Sequence, residues 1–284
     1  MSQKSQKNGS KYIPPRDESV ARLSRADLSR LASLKRKKGR RQEGQFLAEG
    51  VRALEEALKF HRTPERIYCY PPGLGERGER LIAAFKARNV PIQVISSRDL
   101  HRLADTEQPQ GVVAVFPLPD AACTPGRLTN VRRALVLENI ADPGNAGALI
   151  RSAVGFGFDP ILLLGQTVEA FNPKVLRSSA GAVFGATVLE CDLDQLTAWK
   201  KASGALVLVT DLAGEREENW RAPAPGRPLA LVICSEGAGA SPEIVALADQ
   251  RIRITHGNRI ESLNAAFAGA IAMHRIYLAD KEIR

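Results

Sequence analysis

The sequence predicts an α/β fold organised around a mostly parallel sheet, with a smaller α/β unit ahead of it. Three observations carry this. Short apolar strands alternate with helices through the second half, the pattern of strands covered on both faces. A shorter alternation fills residues 45–116. Between them, Pro117-Leu118-Pro119-Asp120 and Cys123-Thr124-Pro125-Gly126 punctuate a boundary. The expected divisions are a disordered basic tail over 1–20, a first unit over 21–118, a linker over 119–130 and a second unit over 131–284.

Residues 1–20 are rich in Ser, Gln, Lys, Asn and Pro, too polar to bury a core. Leucines at 23, 28, 31 and 34 suit a short amphipathic helix. Residues 45–60 read as one helix with an apolar stripe at Val51, Leu54, Ala57 and Leu58. A strand is expected at 67–70, a helix at 79–88, a strand at 91–95, a helical turn at 99–103 and a strand at 111–116. In the second half the strands are 134–137, 161–164, 187–189, 206–209, 229–233 and 252–254, with helices between. Residues 221–228 read as a loop. The last helix, from about 262 to 278, is apolar nearly all round, so it should be buried.

Composition sets bounds. The chain has 284 residues and a formal charge of +9. Its first 41 residues hold 13 Lys+Arg against 3 Asp+Glu, so nearly all the excess sits there. The densest run is Lys35-Arg36-Lys37-Lys38-Gly39-Arg40-Arg41. Such a run attracts a polyanion by counterion release, without sequence choice; a solvated arm is the other reading. No apolar run is long enough to span a membrane, and no apolar signal core opens the chain. Cys69, Cys123, Cys191 and Cys234 form no Cys-x-x-Cys pair, which argues for reduced thiols in a cytoplasmic protein and against a zinc site. Gly-x-Ser-x-Gly, His-Glu-x-x-His and Walker motifs are absent, so hydrolase and NTPase readings lack their chemistry.

Three strand-end loops stand out. The first runs Glu138-Asn139-Ile140-Ala141-Asp142-Pro143-Gly144-Asn145-Ala146-Gly147-Ala148, then reaches Arg151. Its turn chemistry makes Asn145 a good N-cap. Helical spacing puts Gly144, Gly147, Ala148, Arg151, Ser152 and Gly155 near one face, leaving a single guanidinium on a small surface. That group suits either a phosphate or a structural ion pair. The second loop is Cys234-Ser235-Glu236-Gly237-Ala238-Gly239, whose Gly-x-Gly falls short of a dinucleotide fingerprint. The third runs from Thr255-His256 to Ser262-Leu263-Asn264. Ser262 can cap the last helix, Asn264 needs an amide partner, and His256 reads as a loop histidine without catalytic work. Ligands of parallel sheets sit beyond the carboxyl ends of the strands.

Taken in order, the three loops resemble the three motifs of the SpoU/TrmH family of SPOUT RNA 2′-O-ribose methyltransferases. Lys174-Val175-Leu176-Arg177-Ser178-Ser179-Ala180-Gly181 resembles a segment between them. The likeness covers roughly 133–280. Upstream, Phe46-Leu47-Ala48-Glu49-Gly50 and Gln110-Gly111-Val112-Val113-Ala114 resemble the ends of that family's L30e-like RNA-binding domain.

The resemblance implies a trefoil-knotted second unit, S-adenosyl-L-methionine as cofactor and a homodimer. It implies Arg151 as the catalytic arginine, with Asn145, Glu236, Ser262 and Asn264 as the other signature polar residues. Cofactor contacts are expected from Thr210, Cys234, Ser235, Gly237, Ile254 and Leu263. RNA contacts are expected from Lys35, Arg36, Lys37, Lys38, Arg40 and Arg41. The sequence departs from the family's usual Gly at Cys234, Pro-Met at Thr255-His256 and Val-Ser-Val at Ala265-Ala266-Phe267. The implied substrate is large-subunit ribosomal RNA. Transfer RNA, a resistance-conferring ribosomal methylation and a non-catalytic RNA-binding role remain alternatives.

Overall fold

Leucine spacing at the start of the chain makes α1 (Arg25–Ser33), capped by Ser24, whose side chain accepts from Asp27 N. Leu28, Leu31 and Leu34 are buried in a core shared with α5 (Ser97–Leu103) and β4 (Val112–Pro117). The basic run is therefore anchored. It forms the turn into α2 (Lys37–Glu43), which ends at left-handed Gly44.

The stretch 45–60 is two elements, not one helix. Gln45–Glu49 is strand β1, and α3 (Val51–Lys59) begins only after Gly50, whose φ of +92° a side chain would strain. Antiparallel pairing with β4, from Gln45 opposite Pro117 to Glu49 opposite Val113, overrides the local helical period. With β2 (Arg66–Cys69) and β3 (Ile92–Val94) these strands form a sheet of order β1-β4-β2-β3. Between β2 and β3 runs α4 (Gly75–Lys86).

The second sheet has order β10-β8-β9-β5-β6-β7, and every neighbouring pair is parallel, as expected. Its strands and helices alternate: β5 (Arg133–Glu138), α6 (Pro143–Phe156), β6 (Ile161–Leu164), α7 (Pro173–Ser178), β7 (Val188–Cys191) and α8 (Leu193–Ser203). β8 (Leu206–Arg216), β9 (Leu229–Cys234), α9 (Pro242–Leu247), β10 (Gln250–Arg253) and α10 (Ala265–Glu282) complete it. β8 runs past the expected 206–209 because β10 pairs along it in two registers, with a shift between Arg251 and Ile252.

The computed structural model describes residues 23–216, 220, 226–235, 237, 239–257 and 259–282, with only the helical backbone for 280–282. The expectations for a tail over 1–20, for Glu236 and for most of the 221–228 loop lie outside them. No helix among the described residues is long and apolar enough to cross a membrane.

Two sets of contacts join the sheets. Phe46 meets Phe171 at 4.6 Å between ring centroids, and Phe116 meets Phe184 at 4.8 Å, within the range of favourable aromatic pairing. The second set corrects two RNA-contact expectations. Arg40 is 2% exposed, donates to Leu34 O and Lys35 O at 3.0 and 3.1 Å, and ion-pairs with Glu169. A guanidinium so enclosed serves the fold. Lys35 is half-buried and donates to Ala104 O; burial lowers its pKa from the ordinary lysine value against the pull of Asp105 and Glu49. Arg41 is exposed but pairs with Glu190 at 3.0 Å and Glu169 at 3.5 Å. Arg36, Lys37 and Lys38 remain as exposed cations.

The Pro/Gly stretch is tied down along its length. Glu190 N donates to Ala121 O at 2.7 Å, Gln195 Nε2 to Cys123 O at 2.8 Å and Trp199 Nε1 to Leu128 O at 3.0 Å.

Candidate active site

Helix α6 starts where Asp142 caps it: its Oδ1 accepts from Asn145 N at 2.8 Å, and Pro143 fills the first helical position. This replaces Asn145 as the expected cap, because proline fixes the start one turn earlier. The Asn145 side chain is thereby released for another task. Its Oδ1 accepts from Asn264 Nδ2 at 2.9 Å, a bond between the first and third loops across 119 residues of chain.

Asn264 also replaces Ser262 as the cap of α10. Its Oδ1 accepts from Ala266 N and its carbonyl from Ala268 N, both at 3.0 Å, while Ser262 lies exposed three residues before the helix. The buried-amide requirement at Asn264 is met in this way.

Small residues let α6 and α7 approach. Ser178 Oγ donates to Pro143 O at 2.7 Å, and a Cβ on Gly147 would stand 2.7 Å from Ser179 N. That atom is backbone and cannot step aside. Gly147→Val is expected to cost about 1–3 kcal/mol of stability by overpacking, read as a lower urea midpoint than wild type; an unchanged midpoint would show that the helices part freely.

Arg151 stands further along α6, exposed, and its side chain makes no hydrogen bond or ion pair with another described residue. The structural ion-pair reading of this arginine has no support there.

At the carboxyl ends of β9 and β10, beside the middle of β8, lies a cavity of about 260 Å³. Thr210, Cys234, Ser235, Gly237, Ile254 and Leu263, the six expected cofactor contacts, all line it, and so does Ser262. Asn264 sits between Leu263 and Ala265, both of which form its wall. The Asn145–Asn264 bond thus ties α6, and with it Arg151, to the edge of the cavity. Ser235 and Gly239 pair across the second loop, with Gly239 N donating to Ser235 O at 3.0 Å.

Three residues add to the expected set. His256 lines the cavity, although a lone loop histidine carries no such signal in sequence. Asp211 lines it too, with Arg251 Nη1 at 3.2 Å. Glu138 lies beneath it, 3% exposed and opposite Cys234 in the β5–β9 register; its Oε2 accepts from Ser241 N at 3.2 Å. Burial, then the Glu138 contact, pushes the Cys234 thiol well above its ordinary value, so this cysteine is an unreactive wall residue.

The cavity suits an amphipathic nucleoside. Ile233, Ile252, Ile254 and Leu263 give apolar surface, and Thr210, Ser235 and Asp211 give polar edges. At Gly237 and Gly239, no described residue lies within 4 Å of where a Cβ would stand, leaving room for a ligand against the backbone.

Comparison with known proteins agrees with this geometry. Residues 132–274 match the model of the SpoU rRNA methylase family, and residues 26–114 match an MRM3-like substrate binding domain. An uncharacterized tRNA/rRNA methyltransferase of Synechocystis is 30% identical over 87% of this chain and 89% of its own. The 23S rRNA (guanosine(2553)-2′-O)-methyltransferase of Bacillus subtilis is 29% identical, covering 84% of this chain and 91% of its own. The AdoMet-bound rRNA methyltransferase structure from Sinorhizobium meliloti superposes with a TM-score of 0.79 at 25% identity, over 93% of this chain and 98% of that one. With the family model covering half the chain, and loops one and three joined beside the cavity, the chain belongs to the SpoU rRNA methylase family.

Proposed function

We propose that the protein is an S-adenosylmethionine-dependent methyltransferase that modifies a ribose 2′-hydroxyl of large-subunit ribosomal RNA. One observation carries the reading: the Asn145–Asn264 bond joins the arginine-bearing helix to the wall of a cavity lined by every expected cofactor contact. The Bacillus subtilis relative supports the ribose position and the ribosomal substrate.

When bound in the cavity, S-adenosylmethionine would supply a methyl group activated by a sulfonium. The chain's residues supply alignment and charge. Thr210, Ser235, Gly237, Ile254 and Leu263 would hold the cofactor through backbone groups and apolar surface. Asn145 and Asn264, fixed by each other, orient the ribose. A guanidinium keeps its proton near neutrality, so Arg151 binds the adjacent phosphate in a bidentate fork and eases ionisation of the 2′-hydroxyl, whose proton passes to solvent water at this exposed position. Tritiated methyl transfer to total RNA tests the reading: a labelled large-subunit band is expected. Cofactor binding without labelling of any RNA would favour a non-catalytic RNA-binding role.

The same reading makes the protein a homodimer. Helix α10 is buried along one side only: Gly269 packs against Leu149 and Ile233, while Phe267, Ile271 and Leu278 are exposed. The expectation of burial all round therefore fails within one subunit, where no described residue covers that face. Light scattering is expected to show a dimer in wild type and a monomer in Phe267→Asp/Ile271→Asp; a monomeric wild type would refute the dimer. A cytoplasmic site of action fits four buried, unbridged cysteines.

A further inference from the structure

Several exposed cations outside the cavity line one seam, and the bonds along it set their order. Lys35, in the turn between α1 and α2, donates to Ala104 O just after α5. This brings Arg36 to the C-terminal end of α5, near Arg102; Arg98, four residues earlier, shares the exposed helix face. Asp105 follows and accepts from Arg177 Nη1 at 2.7 Å, which joins the loop to α7. Lys174 lies one turn earlier on α7, exposed. The Ser178–Pro143 bond then leads to α6 and Arg151.

The side chains of Arg36, Arg98, Arg102 and Lys174 make no hydrogen bond or ion pair with another described residue. Acids along the seam are fewer: Asp99 of α5 is buried, and two others are engaged. Glu49 accepts from Asp105 N at 2.6 Å, Thr106 N at 3.2 Å and the Thr106 hydroxyl. Asp105 holds Arg177, and Glu107 is exposed.

We propose that this seam is an RNA track. Phosphates of a single-stranded stretch beside the target nucleotide follow Arg36, Arg102, Arg177 and Lys174 toward Arg151, and Arg177 exchanges Asp105 for a phosphate. The identity of the polyanion rests on the methyltransferase reading. Flexible cations without an aromatic platform read phosphates rather than bases, so the track gives register and salt-dependent affinity, not sequence choice.

Fluorescence anisotropy with a labelled oligouridylate 20-mer, titrated with KCl, tests the track. Arg102→Gln/Lys174→Gln is expected to flatten log K against log[salt] by about 1.4, roughly 0.7 for each lost phosphate contact. Asp105→Asn, which frees Arg177, is expected to tighten binding. Lys86→Gln, at the exposed end of α4, should change neither. A double variant with wild-type slope and affinity, or an Asp105→Asn protein that binds no tighter, would overturn the track. Methyl transfer to transcribed large-subunit RNA, run on the same proteins, separates the two claims: KM for RNA should rise in the double variant at unchanged cofactor affinity. Binding through the seam with no methylation of any RNA by wild type would leave the track standing and remove the enzyme reading.

Discussion

Arg151→Ala is expected to lower methyl transfer by about 10²–10⁴-fold, the scale of losing one positioned charge at a reacting centre. Cofactor affinity, read by calorimetry, should hold, because Arg151 does not line the cavity. Stability should stay within about 0.5 kcal/mol, since the side chain is exposed and unpaired among the described residues. The loss would then belong to chemistry or RNA placement alone. Arg151→Lys separates these further. It keeps the charge and loses the fork, so partial activity supports an electrostatic role. Normal RNA affinity with near-zero turnover would count against a purely electrostatic one. An Arg151→Ala protein that methylates at the wild-type rate would remove this residue from the mechanism.

The second large effect lies far from the cavity. Glu169→Gln is expected to destabilise the protein by about 3–5 kcal/mol, because it strips the counter-charge from a buried guanidinium. Arg40 cannot swing out to water: Leu34 O and Lys35 O hold it, and its side chain is enclosed. Arg40→Met/Glu169→Met should cost less than either single change, since it leaves no orphaned charge. Urea unfolding followed by tryptophan fluorescence reads both. A Glu169→Gln midpoint equal to wild type would show that the pair adds nothing.

These two residues also show what the chain reveals before folding. Arg151 stands out in sequence because a long cation interrupts a face of small residues, and the structure leaves it exposed. Arg40 sits in a run of seven residues with six cations and looks like any of them. Only a partner 129 residues away distinguishes it, and charge patterning carries no such information. The strand Gln45–Glu49 was hidden for the same reason. Its apolar spacing suits a helix, and the strand that claims it lies over sixty residues downstream. Strands of the parallel sheet were legible because burial on both faces makes them short, continuous apolar runs; Ile161–Leu164 matches to the residue. The cavity residues were legible through motif order. The caps at Asp142 and Asn264 were not, since neighbouring Asp, Asn and Ser residues all offer capping oxygens and only the geometry chooses among them.

The tethered stretch between the two sheets has a consequence for recognition. With Ala121 bonded to β7, Cys123 and Leu128 bonded to α8, and phenylalanine rings and the Arg40–Glu169 pair packed across the divide, the two halves are joined by more than a flexible linker. An RNA bound as proposed would meet two halves already packed against each other, so the work of matching them would fall on the transcript.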